Sequence, residues 1–507
     1  MKKIVLIAIV GILCFSMFQT VHLALAPGPL VEWSKTYGRA TRNDANWANS
    51  IVQTSDGGYA IASTADFGGG EVWWLVKTDL AGNMQWNKTY PTAEQGRVFS
   101  IKQTGDGGYA LAGDTYSGGL TNIARLVKTD ADGNIQWDKK YTEIGVAAAF
   151  SMAQTNDGGY IVSGCKYYYD GWLMKTDADG NIQWSRSFVE ANNTQLESVV
   201  ETSDGGYVAV GATQYPPFSG KVDAYLVKTD ADGNTVWSRE FSRTTRDDFG
   251  RSVIQTSDGG FALAGQTDYF GSGDAWLIKT DAAGNFLWDK TYNGKNSDFA
   301  YSIVQTSDDG YALAGQTDYW NNGDVWLIKT DSAGVVSWNQ TFGGAGYDRG
   351  NSVIKTSDGG YALAGYTNSF SSDGSHEVWL IKLAGTGTPT IKATVDFQPD
   401  TLNLESKGKW VTCYVELPEG NDVANINVST IKLNATVSAE LKPTAIGDYD
   451  NDAISDLMVK FDRSKVVEYI QNSGSMTGKF VTVTLTITGK LDAGTPFQGS
   501  DTIRIIK

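Results

Sequence analysis

"IQTSDGGFALAGQTDYFGSGDAWLIKTDAAGNFLWDKTY" fills residues 254–292, and "VQTSDDGYALAGQTDYWNNGDVWLIKTDSAGVVSWNQTF" fills residues 304–342. Within each copy, short apolar runs alternate with turn residues. "SVIQT" is followed by "SDGG", whose glycines supply positive φ, and "FALAGQT" returns as the second arm of a hairpin. "AWLIKT" and "FLWDKTY" form a second hairpin around "DAAGN". No helical period runs through the copies. Four short antiparallel strands cannot bury both of their faces alone, so the copies must stack on one another.

The turn Asp recurs at positions 56, 106, 157, 204, 258, 308 and 358, seven copies spaced 47–54 residues apart. Four strands per period of about fifty is the signature of a β-propeller blade. A Trp marks the fourth strand at Trp86, Trp137, Trp184, Trp237, Trp288 and Trp338. A seventh, Trp33 in "VEWSKTY", has no copy before it, and the last copy stops after its third strand, "EVWLIKL", residues 377–383. Residues 31–37 are therefore expected to pair with 377–383. The expected fold is all-β: a seven-bladed β-propeller over residues 31–383 in which the N-terminal strand closes the last blade and removes both open sheet edges.

"KTDADGNIQW" resembles the D-x-x-G-x-x-x-W repeat of PQQ-like, quinoprotein-type propellers, and the resemblance covers residues 31–383. It implies architecture and a packing role for the Trp between blades. It does not imply a quinone cofactor.

A Gly/Thr/Pro linker, "AGTGTPT", occupies residues 384–390. Beyond it the fifty-residue period stops. "KATVDFQ", "WVTCYVEL", "DLMVKFD" and "FVTVTLTITGKL" alternate apolar and polar residues, and "SKVVEYIQN" reads as one short helix. Residues 391–507 are expected to form an immunoglobulin-like β-sandwich.

Residues 1–26 pair "MKK" with the apolar run "IVLIAIVGILCFSMF" and end in "LALA". This is a signal peptide or, because Pro27 follows the cleavage point, a retained N-terminal anchor. Its loss would move the formal net charge from −16 to −18. An exported chain this acidic is a poor partner for nucleic acid or for an anionic membrane surface. Only Cys165 and Cys413 remain after the leader, which excludes a disulfide framework. The only His beyond the leader is His376, so a His-ligated zinc site is excluded and Ser-His-Asp chemistry disfavoured.

The sharpest local motif is "GDYDNDAISD", residues 447–456. Asp448, Asp450, Asp452 and Asp456 stand at loop positions 1, 3, 5 and 9, and Ile454 offers a backbone carbonyl at position 7. Closely spaced oxygens suit Ca²⁺. The stretch resembles the calcium loops of integrin-type FG-GAP repeats and dockerins, with Ala453 where that pattern has Gly. "DADGN" at 130–134, 177–181 and 230–234 looks similar, but other copies read "DLAGN", "DAAGN" and "DSAGV". A ligand dropped from half the copies argues for turns. The repeated "T-S-D-G-G" shares part of the Asp-box of sialidase-type propellers, a structural element.

Each first strand carries the same Ser, at Ser50, Ser100, Ser151, Ser198, Ser252, Ser302 and Ser352. With no His beside them these are not nucleophiles. Function is expected where the copies differ. The variable loops hold Tyr116, Tyr167, Tyr168, Tyr169, Tyr215, Phe218, Tyr269, Phe270, Tyr319 and Trp320. Asp248, Asp298 and Asp348 lie four before the repeated Ser, and Glu197, Arg251 and Tyr301 immediately before it. Aromatic platforms among carboxylates and amides suit a glycan or an extracellular protein partner. The expected function is therefore a non-catalytic, secreted or cell-surface binding or adhesion protein. The alternative is a carbohydrate-active enzyme, a hydrolase or lyase working through carboxylates such as Asp298 and Asp348.

Overall fold

The computed structural model describes residues 28–506 apart from 39–44, 67–68, 91–94, 117–121, 168–169, 189–191, 215–220, 244, 270, 372–373, 386–390, 419–420, 435–436, 451, 453, 473–479 and 493–494. The expected leader at 1–26, most of the linker, Tyr168, Tyr169, Tyr215, Phe218, Phe270 and Ala453 lie outside the described residues. Among the described residues, no helix is long and apolar enough to cross a membrane.

Residues 31–383 form seven four-stranded antiparallel sheets, one for each sequence copy. The fifth is typical: Phe249–Gln255, Phe261–Gln266, Ala275–Thr280 and Phe286–Tyr292 pair in chain order. The seventh takes its fourth strand from the other end of the chain. Val31–Tyr37 pairs antiparallel with Glu377–Leu383, from Val31 opposite Leu383 to Tyr37 opposite Val378. The first strand of every sheet touches the first strand of the next, and the seventh touches the first, so these strands make a closed circle.

The repeated residues explain the stacking. Each apolar cluster draws on two neighbouring sheets: Ile51 and Tyr59 of the first sheet share one with Ala362 and Leu380 of the seventh. Each fourth-strand Trp meets an aromatic residue of the following sheet edge-on or tilted, from Trp33 on Tyr59 at 5.7 Å to Trp338 on Tyr361 at 6.0 Å. The Tyr37 hydroxyl also crosses to the next sheet and donates to the Gly82 carbonyl at 2.6 Å.

The "TSDGG" turn is a charged latch. In the first sheet Gly57 sits at φ 84°, and the Asp56 carboxylate accepts from the Gly58 N–H at 3.1 Å, from the Thr54 hydroxyl and from Lys77 at 2.7 Å. All seven turn aspartates hold the third-strand lysine of their own sheet in this way. Burial raises the Asp56 pKa, but the bonds from Lys77, Thr54 and Gly58 outweigh it and bring it down to about 2. The "DADGN" stretches are turns as well. Asp130 accepts from the Asn134 N–H and side-chain amide, and Asp281 does the same with Asn285 although its copy carries Ala283. The second Asp is not needed for the turn.

Residues 391–506 build two further sheets around one apolar core. One has the strand order Thr394–Gln398, Trp410–Glu416, Asp456–Asp462, Glu440–Gly447, and the other has six strands centred on Phe480–Leu491 and Pro496–Ile506. Phe397, Cys413, Val459 and Phe461 from the first meet Leu485, Ile487 and Ile505 from the second, all fully buried. The expected helix spans Arg463–Asn472 and buries Val466 and Ile470, one turn apart. Cys165 and Cys413 are both buried and unpaired with each other.

Candidate functional site

In every sheet the pairing of first and second strands slips by one residue just before the repeated Ser. Ala48 faces Ser63 and Ser50 faces Ala62, which leaves Asn49 unpaired. A β-bulge re-aims the side chain of its extra residue. The seven bulged positions are Asn49, Phe99, Phe150, Glu197, Arg251, Tyr301 and Asn351, all half-buried. They sit on the circle of first strands, and neighbours meet. Phe99 packs edge-on against Phe150 at 5.6 Å, and Arg251 pairs with Glu197 at 3.0 Å. At the closure, Asn351 donates to the Ala48 carbonyl at 2.8 Å.

The serines that follow the bulges do the opposite task. Ser50 accepts from the Ile101 N–H, Ser100 from Met152, Ser198 from Val253 and Ser302 from Val353, at 3.1–3.4 Å. They tie one first strand to the next. Identical residues therefore hold the circle, and the variable residue beside each is free to differ.

The fifth to seventh sheets concentrate aromatic and cationic groups around these bulges. Arg251 lies over the Phe249 ring at 4.9 Å and reaches Gln266 at 3.3 Å. The Arg349 guanidinium lies 3.9 Å from the centroid of the Tyr301 ring. Tyr347 stacks on Tyr366 at 6.0 Å, and both rings meet His376 edge-on. The Tyr347 hydroxyl donates to Gln316 at 2.9 Å. Burial pushes the Tyr301 hydroxyl up to about 12 against the pull of Arg349 and Arg251. Burial also lowers the His376 pKa below the ordinary 6.5, opposed by Asp348, so the imidazole is neutral at pH 7.

The structure distributes the sequence candidates unevenly. Arg251 and Tyr301 lie on bulges. Tyr269 is half-buried between Phe249 at 5.2 Å and Phe299 at 5.7 Å, and Tyr319 leans on Phe299 at 4.8 Å. Trp320 is 57 % exposed and rests edge-on against Tyr319 at 4.7 Å. Asp248, Asp298 and Asp348 are all buried, at 0 % exposed. Asp298 accepts from the Thr317 hydroxyl and from the N–H groups of Gly294, Lys295 and Asp318. Asp248 accepts from the N–H groups of Arg243 and Asp268, and Asp348 from the Gly344 N–H and the Ser369 hydroxyl. A carboxylate committed to loop N–H groups inside the fold holds that loop in place. Sequence reading passed over Arg349, Tyr347 and Tyr366. The signal for this region was present in the non-repeating residue before each repeated Ser.

In the C-terminal unit the acidic loop folds into two groups that share one residue: Asp448, Asp450 and Asp456, and Asp450, Asp452 and Glu416. Glu416 comes from the neighbouring strand Trp410–Glu416, where residue 416 pairs with Asp456. In both groups the carboxylate oxygens lie within 4.8 Å of one another. The loop N–H groups already point inward, that of Asp452 to Asp448 at 3.1 Å and that of Ile454 to Asp452 at 2.8 Å. Burial and the neighbouring carboxylates raise the pKa of Asp456, and burial with Asp452 raises that of Glu416. An all-oxygen set of this kind fits a hard cation such as Ca²⁺ and not zinc or copper. Tyr414 and Tyr449, 4.6 Å apart, flank a cleft of about 530 Å³ beside it.

No family model matches the sequence, and no curated protein matches it. Among solved structures the chain is similar to Sqt1 from Chaetomium thermophilum, at 13 % identity over 68 % of this chain and 83 % of that one, TM-score 0.41. It is similar to a PL25 polysaccharide lyase, an ulvan lyase bound to -[GlcA(1-4)Rha3S]-, at 11 % identity over 69 % and 96 %, TM-score 0.46. The Neurospora crassa Pan2 WD40 domain matches at 9 % identity over 66 % and 95 %, TM-score 0.40. These neighbours are propeller-like folds. Likenesses this distant say nothing about activity.

Proposed function

We propose that the chain is an exported, non-catalytic binding protein, secreted or held at the cell surface, whose ring presents one face to a glycan. In this reading the seven sheets are the blades of a seven-bladed propeller of PQQ-like type, and the C-terminal unit is an immunoglobulin-like sandwich stiffened by one Ca²⁺. The observation that carries it is the contrast on the first strands. Five of the seven identical serines, Ser50, Ser100, Ser151, Ser198 and Ser302, accept a backbone N–H of the next sheet, while the bulged residue beside each of the seven is Asn, Phe, Phe, Glu, Arg, Tyr and Asn. A ring kept only for shape has no need to vary its re-aimed positions. Exposed Trp320 next to half-buried tyrosines supplies the flat apolar platform on which the CH face of a sugar ring stacks. The formal charge of −16 disfavours nucleic acid.

The enzyme reading is the weaker one because Asp298 and Asp348, its acid and base, are buried and hydrogen-bonded inside loops. The metal role is carried by the two carboxylate groups that share Asp450. Mutual repulsion among these carboxylates is relieved when a divalent cation binds. A polysaccharide binding screen on the full chain, followed by turnover assays on whatever binds, tests the function. Binding without product supports it, and chain cleavage or unsaturated product would replace it with the enzyme reading. If no polysaccharide binds and an extracellular protein does, the face is a protein interface.

A further inference from the structure

Every fully buried cation of the ring is neutralised by a carboxylate, whereas half-buried Arg349 is not. The seven third-strand lysines sit on their turn aspartates at 2.7–3.0 Å. Arg97 pairs with Asp114 at 2.7 Å, Arg125 with Asp138 at 2.7 Å and Arg251 with Glu197 at 3.0 Å. Arg349 has no such partner: among the described residues no carboxylate lies within ion-pair distance of it. Its guanidinium meets the Tyr301 ring at 3.9 Å and the Tyr366 hydroxyl, and its Nε is buried with no hydrogen-bond partner. The chain has 57 acidic residues against 41 basic ones, so carboxylates are not scarce. Desolvating a cation without an anion is costly, and so is a buried N–H left without an acceptor.

We propose that the anion comes from the ligand, and that Arg349 reads the carboxylate of a uronate-bearing polysaccharide. The proposal rests on the glycan reading and names the sugar class. A guanidinium presents parallel N–H groups that match a planar carboxylate in bidentate fashion. The walls around it are flat rings, Tyr301, Tyr347 and Tyr366, which suit the apolar face of a pyranose. From Tyr347 the rings continue through Tyr319, at 6.3 Å, to exposed Trp320, a path long enough for a second sugar. In so acidic a chain Arg349 suits one negative charge per sugar better than a polysulfate, which the surrounding field would repel.

The test is calorimetric titration of the full chain, in EDTA so that the acidic loop plays no role. The probes are oligogalacturonate, the same oligomer fully methyl-esterified, alginate oligomers and dextran sulfate. The expected result is at least tenfold tighter binding of a free uronate than of the methyl ester or dextran sulfate, with the advantage shrinking as salt rises. Arg349→Met should reduce that preference to near one while the ester still binds. Trp320→Ala should weaken both arms alike and keep their ratio. Should Arg349→Met fail to fold, Arg349→Lys retains the charge without the fork and should lose most of the preference. The inference is overturned if free and esterified oligomers bind equally, if dextran sulfate binds tightest, or if the preference survives in Arg349→Met. Ester binding alone leaves the glycan reading standing and removes this one, whereas no binding in any arm removes the glycan reading itself.

Discussion

Replacing Gly82 by Ala probes whether the first strand of the chain truly completes the seventh sheet. Gly82 adopts φ 75°, and a Cβ built on it would lie 2.5 Å from Cζ3 of Trp33 and 2.8 Å from its Cη2. Two costs therefore add: about 1–2 kcal/mol for a left-handed non-Gly residue and about 1–3 kcal/mol for overpacking against the ring. Gly57, at φ 84°, isolates the first, because its nearest outside atom is Leu80 Cδ1 at 3.9 Å. Unfolding entropy near 2.1 cal/mol/K per residue means that a ring of this size loses roughly 1–2 °C of Tm per kcal/mol. Gly82→Ala should then lower the ring's melting transition by about 3–7 °C, and Gly57→Ala by about 1–3 °C. Shortening the indole should relieve only the overpacking, so Gly82→Ala and Trp33→Ala should couple by about 1–3 kcal/mol. Gly284 and Trp237, 2.6 Å apart by the same construction, belong to consecutive sheets inside the chain and give the reference coupling. Scanning calorimetry of the four variants in each cycle measures both. Coupling at 237/284 with none at 33/82 would mean that the N-terminal strand does not close the ring in solution.

Acid should melt the ring in a defined window. Asp56, Asp106, Asp157, Asp204 and Asp258 all have pKa values brought down to about 2 from the ordinary 3.8. The unfolded chain therefore takes up protons first, and stability present above about pH 4 is lost as pH falls through about 2. A Tm that stays flat from pH 5 to pH 2 would mean that the lysine latches contribute nothing. Terbium luminescence and calorimetry on the full chain should find one Ca²⁺, worth about 2.7 kcal/mol of stability at a hundredfold excess over Kd. Asp450→Asn should weaken binding most and Glu416→Gln about tenfold, and a Glu416→Gln protein that binds like the parent would remove Glu416 from the ligand set. Trp320→Ala should weaken glycan binding with Tm unchanged. Tyr269→Ala, which removes a ring packed between Phe249 and Phe299, should cost about 2–4 kcal/mol of stability, and equal melting of the two variants would contradict the packing.

The ring was legible because its signals are local and repeated. "SDGG" fixes a turn, a Trp at a constant offset fixes the fourth strand, and the orphan Trp33 announces a strand with no sheet of its own. The pairing of Val31–Tyr37 with Glu377–Leu383 follows from counting alone. The site was less legible because depth and cross-chain proximity leave no local trace. Asp298 stands in the same sequence position relative to its Ser as Asp348, yet no neighbouring residue signals that loop N–H groups will occupy its oxygens. Glu416 lies 34 residues before Asp450, and only strand pairing brings it to the acidic loop. Arg349 is one arginine among several until its missing counter-ion is seen. The bulges lie between these cases, since the slip is invisible in the sequence but the residue that varies beside an invariant Ser can be read.

The clasp between the first and last strands also decides how the molecule meets tension. Val31 faces Leu383, and the Ala384 N–H donates to the Leu30 carbonyl at 3.0 Å, so the chain enters and leaves the ring side by side. A pull between the segment before residue 30 and the unit after residue 384 draws both strands from the same end. The hydrogen bonds then break in succession, as in a zipper, and never share the load as they would in shear. The other six sheets lie outside the line of force until the clasp is open. Optical tweezers with handles at residues 30 and 384 should record a short, low-force extension for the peeling of seven residues before any sheet unfolds. The same handles placed on two interior sheets should meet a single, higher barrier.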